Sequence, residues 1–251
     1  MYKKVSIALL SLTILSGCHL SGTTSETTKD TSHSKEIAKD TATKTKKQEA
    51  PLPNVSSNDW NLILVNNDHP MEAIETPLKV LPNGLQIDER METDYNAWMN
   101  AAKEAGFNMV LVSSYRSYDL QKQVYNQSIS DNQSQGMSYE DAVAETKKYV
   151  AFPGSSEHQT ALAIDIVDDE WLATGKGLIP EYDQTASQKW LVQTMKEYGF
   201  ILRFPKHKED LTKISYESWH FRYVGKENAA YIIDHDLSLE EYITKLQAAG
   251  K

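Results

Sequence analysis

Hydrophobic positions recur along this chain with two periods, and the switches between them mark its elements. Residues 89–105 have helical character and stop at Gly106, and Asn108 to Ser113 reads as a strand leading into a turn at Tyr115-Arg116. Residues 118–130 and 138–150 are helical. The second opens on Ser138-Tyr139-Glu140-Asp141, a cap followed by an acidic first turn. Leu162-Ala163-Ile164-Asp165-Ile166-Val167 is an apolar, β-branched run of the kind that forms a buried strand. Residues 186–198 make an amphipathic helix ending at Gly199, and 200–204 return as a strand. Trp219-His220-Phe221-Arg222-Tyr223-Val224 is aromatic and β-branched, again a strand. Asn228 to Ile233 and Ser238 to Ala248 close the chain as helices. Several strands among segregated helices predict an α+β fold, with no internal repeat.

The first 53 residues follow a different pattern. Lys3-Lys4 precedes an apolar stretch from Val5 through Leu15, too short to span a bilayer and suited to a signal-peptide core. Leu15-Ser16-Gly17-Cys18 then resembles a bacterial lipobox, in which cleavage precedes Cys18 and its thiol takes a lipid. The ordinary alternative is a secretory signal with an incidental cysteine. Cys18 is the single cysteine and falls at the lipidation position, which favours the lipobox and leaves no internal disulfide. Residues 1–17 are thus expected to be a signal peptide. Residues 18–53 are rich in Ser, Thr and Lys, cannot bury enough surface to offset their ordering entropy, and are expected to be a disordered tether. Residues 54–251 are long enough for one domain with a proper core. No transmembrane span is expected in the mature chain, and the domain is expected to be a monomer.

Charge narrows the partners. The chain carries 26 Lys and Arg against 35 Asp and Glu. Two lysines lie in residues 1–17, and six lysines and five acids in residues 18–53, so the domain keeps 18 basic and 30 acidic residues, a net of −12. Such a surface argues against nucleic acid and leaves anion capture to local groups such as Arg116.

Two segments carry the chemistry: Ser156-Glu157-His158-Gln159-Thr160-Ala161-Leu162-Ala163-Ile164-Asp165 and Glu217-Ser218-Trp219-His220. Together they offer two imidazoles and a carboxylate, three ligands with one position open, the arrangement of a catalytic zinc. Glu217 adds a carboxylate where a general base would stand. A carboxylate at Asp165 in an apolar run is costly to bury unless it is paired or binds metal. His158 lies an odd seven residues earlier, beyond a Pro153-Gly154-Ser155-Ser156 turn, so it must come from the loop leading into the strand. Glu217, an odd three residues before His220, belongs at the strand mouth. Each residue has a plainer reading alone; Asp165, for example, could pair with Arg116 or Arg222. Taken jointly they favour metal. His19, His33, His69, His207 and His235 lack a partner motif and are not expected ligands. Asp168, Asp169 and Glu170 read as a solvated turn.

On these residues the chain resembles the VanY-type D-alanyl-D-alanine carboxypeptidases, zinc peptidases of bacterial cell-wall peptides in the superfamily of lysostaphin-type enzymes, D-Ala-D-Ala peptidases and hedgehog domains. The matching pieces are Asn61-Leu62-Ile63-Leu64-Val65-Asn66, Ser114-Tyr115-Arg116-Ser117 with Gln121, Pro153-Gly154-Ser155-Ser156-Glu157-His158, Asp165, and Glu217-Ser218-Trp219-His220-Phe221-Arg222-Tyr223. The resemblance implies a small antiparallel sheet carrying zinc, with His158, Asp165 and His220 as ligands. It implies Glu217 as catalytic base and Arg116 as the group that holds the substrate's carboxylate, with Gln121 and Ser156 assisting in binding. The chain departs from the family at Ala161 and at Ser114, where Gly is usual. A positive φ at either position makes a side chain costly, so a slight backbone adjustment is expected.

The resemblance implies removal of the terminal D-alanine from peptidoglycan stem peptides, across a D,D bond in a pentapeptide or an L,D bond in a tetrapeptide. With Cys18 it implies an enzyme lipid-anchored to the outer face of the bacterial cytoplasmic membrane. The rival reading is a wall-binding lipoprotein that recognises peptide ends without cutting. A binder has no need of Glu217.

Overall fold

The structure, a computed structural model, describes residues 50–71 and 75–251. The signal-peptide, Cys18 and most of the tether expectations therefore lie outside the described residues. Strands β1 (Leu78–Val80) and β2 (Gln86–Asp88) form a hairpin, followed by a 3-10 turn at Glu89–Met91 and helix α1 (Glu92–Glu104). Then come β3 (Met109–Ser113), α2 (Tyr118–Ser134), α3 (Tyr139–Tyr149), a 3-10 turn at Glu157–Thr160, and β4 (Ala163–Asp168). Next are α4 (Asp169–Ala173), a 3-10 turn at Pro180–Gln184, α5 (Ala186–Thr194) with a 3-10 extension at Met195–Tyr198, and β5 (Phe200–Leu202). The chain ends with α6 (Glu209–Thr212), β6 (His220–Tyr223), α7 (Lys226–Asp234) and α8 (Leu239–Ala248).

The main sheet is antiparallel with strand order β3-β4-β6-β5. The fold is α+β, small antiparallel sheets flanked by helices, as the alternating periods predict. Period-2 alternation divides the sheet into two chemical faces. Ile164 and Ile166 of β4, with Phe221 of β6 and Phe200 of β5, enter the main core. There Trp98 of α1 is fully buried, stacked on Phe200 at 4.8 Å and edge-on to Phe221 at 5.2 Å, and its indole N–H donates to Thr194 Oγ1 at 2.9 Å. The alternate residues, Asp165 on β4 with His220 and Arg222 on β6, are polar and buried as well. One sheet face is thus a hydrocarbon core and the other a buried polar site.

Register sets the site. Asp165 stands directly opposite His220, and Ala163 opposite Arg222. The β3–β4 ladder slips between Leu111 and Ser113, which brings Ser113 opposite Asp165; such irregularities are common beside functional sites. Two smaller cores complete the domain. Leu62, Ile201, Val224, Ile232, Tyr242 and Leu246 join α7 and α8 to the edge of the sheet, and Tyr125, Ile129 and Ala142 join α2 to α3. Helix ends follow the sequence signals: Ser117 and Ser138 cap α2 and α3, and Ser238 with Glu241 forms a capping box on α8. No helix among the described residues is long and apolar enough to cross a membrane.

Two expectations need correction, and a third is resolved. Asp168 is not part of a solvated turn. It is buried, accepts the backbone N–H of Trp171 at 2.6 Å as the cap of α4, and also accepts the hydroxyl of Ser187; Asp169 and Glu170 are exposed. The predicted strand at 200–204 stops at Leu202, and the side chain of Arg203, just beyond it, enters a buried ion-pair network. Of the two positions where Gly is usual, Ala161 adopts a left-handed conformation (φ 60°, ψ 12°), whereas Ser114 is not among the positive-φ residues. The Ala161 conformation ends the 157–160 turn and aims the chain into β4; there its carbonyl accepts the N–H of Asp88 at 3.0 Å.

Candidate active site

Each functional side chain reaches the site by a different local route. Asp165 is the third residue of β4 and His220 the first of β6, and their side chains meet across the ladder, Oδ1 of Asp165 lying 3.0 Å from Nδ1 of His220. His158 comes from the 3-10 turn before β4, as its odd offset requires, and its Nε2 lies 3.3 Å from Asp165 Oδ2. The two imidazoles are nearly perpendicular, with ring centres 5.0 Å apart. His158, Asp165 and His220 each offer a ligand atom, these atoms lie within 4.8 Å of one another, and all three residues are buried. Two imidazoles and one carboxylate are a donor set suited to zinc, and three donors leave room for a water or substrate atom. His69, His207 and His235 do not join this group.

Glu217 and Arg116 flank the triad. Glu217 stands at the mouth of β6, with Oε2 3.5 Å from His220 Nδ1. Arg116 follows β3 and immediately precedes Ser117, the cap of α2. One guanidinium nitrogen donates to Gln121 Oε1 at 2.9 Å and the other approaches Asp165 Oδ2 at 3.5 Å, while its buried Nε has no partner among the described groups. Gln121 is in turn held by donation to the Ala151 carbonyl at 2.7 Å. The triad, Glu217, Arg116 and Gln121, with Ser156, line one cavity of about 260 Å³ whose apolar walls include Phe204, Ile214 and Trp219.

A family model described as VanY, D-alanyl-D-alanine carboxypeptidase, matches residues 84–226. The chain belongs to this family. It is 34% identical to YodJ of Bacillus subtilis (strain 168) over 96% of this chain and 95% of that one. It is 36% identical to a D-alanyl-D-alanine carboxypeptidase of Enterococcus faecalis (strain ATCC 700802 / V583) over 74% of this chain and 66% of the relative. Among solved structures, it is similar to a zinc complex of a mutant vancomycin-resistance D,D-pentapeptidase VanY (TM-score 0.66, 34% identity, covering 74% of this chain and 99% of that one). It is also similar to the LD-carboxypeptidase LdcB (TM-score 0.62, 36% identity, covering 74% and 87%).

Burial and charge give the residues of this VanY-family site unequal proton affinities. Burial raises the pKa of Glu217 to about 8; the neighbouring His220 and Arg116 oppose this, and Asp165 and Glu157 add to it. A bound divalent cation would pull the other way. Burial, with Arg116 nearby, pushes His158 down to about 4, keeping it a neutral imidazole. For His220, burial also disfavours the charged form, but Asp165 and Glu157 outweigh it and lift the pKa to about 9. A metal must displace that proton to bind there. Burial raises Asp165, yet the two histidines hold it well below the usual carboxylate range.

Glu157 and Arg203 carry a role that no motif in the sequence announces. Glu157 is almost fully buried, and its Oε1 accepts from Arg203 Nε and from Arg222 Nη1, both at 2.7 Å. Arg203 continues to Glu240 of α8, and Arg222 to the carbonyls of Asn61 and Ile63. Arg222 is thus paired with Glu157, and Arg116 is the arginine beside Asp165. Truncating one member of such a buried pair costs on the order of 3–5 kcal/mol. One signal was available: Arg222 is two residues from His220 on a strand, so it had to share its face.

Proposed function

We propose that this chain is a zinc-dependent carboxypeptidase that removes the C-terminal D-alanine from peptidoglycan stem peptides. The observation that carries the reading is the convergence in one cavity of a buried His158–Asp165–His220 triad, the Glu217 carboxylate and the Arg116 guanidinium, whose buried Nε has no partner among the described residues. In this proposal His158, Asp165 and His220 hold the metal. Zinc, when bound, supplies a Lewis acid that lowers the pKa of water toward about 7 and polarises the scissile carbonyl. Glu217 accepts the proton of the attacking water and returns it to the leaving amine. Arg116 binds the terminal carboxylate of the peptide by charge-assisted hydrogen bonds and so sets the last bond over the triad. Gln121, occupied at both ends by protein, fixes the direction of Arg116, and Ser156 lines the cavity. The proposal covers D,D and L,D bonds alike, because a structure of each kind matches 74% of this chain at similar identity. It also makes the chain a cell-wall-remodelling enzyme rather than a passive binder, since Glu217 has no use in a binder.

Arg116 is tested by pairing a variant with a modified substrate. Truncating a buried charged partner costs on the order of 2–5 kcal/mol. Arg116→Ala therefore lowers kcat/KM at least tenfold, and amidating the substrate's C-terminal carboxylate produces a similar loss on the wild type with little further loss on the variant. If amidation harms both enzymes equally, another residue anchors the carboxylate.

We further propose that the domain is displayed outside the membrane on a lipid attached at Cys18 and spaced by residues 18–53. Cys18→Ala should abolish lipid labelling and release the chain or leave it as an unprocessed precursor. Unchanged lipid labelling of the variant would contradict the anchor.

A further inference from the structure

We infer that Glu157 is a positioning residue for His220: its Oε2 accepts the Nε2–H of His220 and so presents the Nδ1 lone pair to the triad. The inference rests on the zinc reading above. Three observations support it. First, Glu157 Oε2 and His220 Nε2 lie 3.5 Å apart, both buried, and neither has an aligned hydrogen-bond partner among the described residues. Buried polar atoms without partners are rare, and two complementary ones facing each other mark a contact that closes by a small ring rotation.

Second, the carboxylate is aimed. Its other oxygen, Oε1, is clamped by Arg203 Nε and Arg222 Nη1 at 2.7 Å each. Arg222 lies two residues beyond His220 on the same face of β6, so the clamp travels with the strand that carries the imidazole. Arg203 is fixed by Glu240, and Arg222 by the carbonyls of Asn61 and Ile63 at 3.2 and 2.8 Å. A purely structural acid would be satisfied by these arginines through Oε1 alone. Oε2 is left directed at the histidine.

Third, the two imidazoles are backed in parallel ways. The Nδ1–H of His158 donates to the Ser114 carbonyl at 2.7 Å, leaving its Nε2 for the triad. His220 is reversed: Nδ1 faces Asp165 and Glu217 at 3.0 and 3.5 Å, and the rear nitrogen faces Glu157. Acceptors behind a ligating histidine fix its tautomer and orientation, and their loss typically weakens metal binding about 10–100-fold.

The test is zinc affinity by chelator competition on the full chain, with thermal melting in the absence and presence of zinc. In Glu157→Gln the amide oxygen must stay with the two guanidinium donors, so the amide NH2 turns to His220 and offers a donor where an acceptor stood. Zinc affinity falls about 10–100-fold, and the zinc-induced rise in melting temperature shrinks. Glu240→Gln, which touches only the outer end of the network, lowers the melting temperature without changing zinc affinity. Should Glu157→Gln fail to fold, long-range 1H–15N spectra of the zinc-loaded wild type decide, with the proton expected on His220 Nε2. Wild-type zinc affinity in a folded Glu157→Gln, or a proton on Nδ1 with metal on Nε2, overturns the assignment. A wild type that binds no zinc instead overturns the reading on which the inference rests, and the inference with it.

Discussion

Replacing Glu217 with glutamine should lower kcat about 10²–10⁴-fold while zinc stays bound. The glutamine keeps the size and shape of the side chain but cannot accept a proton. Glu217 is buried at the mouth of β6, 3.5 Å from His220 Nδ1, close enough to the triad to serve a water there. The loss falls on kcat, because the carboxylate acts on the transition state and not on the substrate's grip. Steady-state kinetics with metal analysis on the same samples checks this. A variant with near wild-type kcat would remove Glu217 from the mechanism.

Alanine at His158, Asp165 or His220 should abolish activity and reduce bound zinc to well below one per chain. The three are not equivalent in their other effects. Asp165 is the shared partner of His158, His220 and Arg116, so Asp165→Ala leaves the buried Arg116 and His220 without their carboxylate and should also destabilise the fold. His158 is tied mainly to the Ser114 carbonyl, and its removal should disturb the fold less. Circular dichroism separates loss of metal from loss of structure, since a metal site contributes to folding free energy. Full zinc and full turnover in any of the three would disprove that ligand assignment.

The elements that carry the triad were legible because they are local and strongly patterned. The apolar run around Asp165 and the aromatic run around His220 read as buried strands, and a charged residue in each had to be satisfied inside the protein. The odd offset of His158 placed it in a turn, where the structure puts it. The β1–β2 hairpin was missed because its strands are three residues each, too short to show a period. Asp168 was misread because an acidic triplet looks solvated until Trp171 and Ser187 are seen to occupy its oxygens. The role of Glu157 was hidden for a different reason. Its partners lie 46 and 65 residues away, and only the assembled sheet brings them to it.

Mass spectrometry of defined stem peptides, incubated with enzyme that has been stripped by chelator and then restored with zinc, tests the central claim most directly. The expected result is loss of a single C-terminal D-alanine from a pentapeptide, a tetrapeptide or both, absent after stripping and recovered with zinc. Internal cleavage, or release of D-alanine that survives complete removal of the metal, would contradict it.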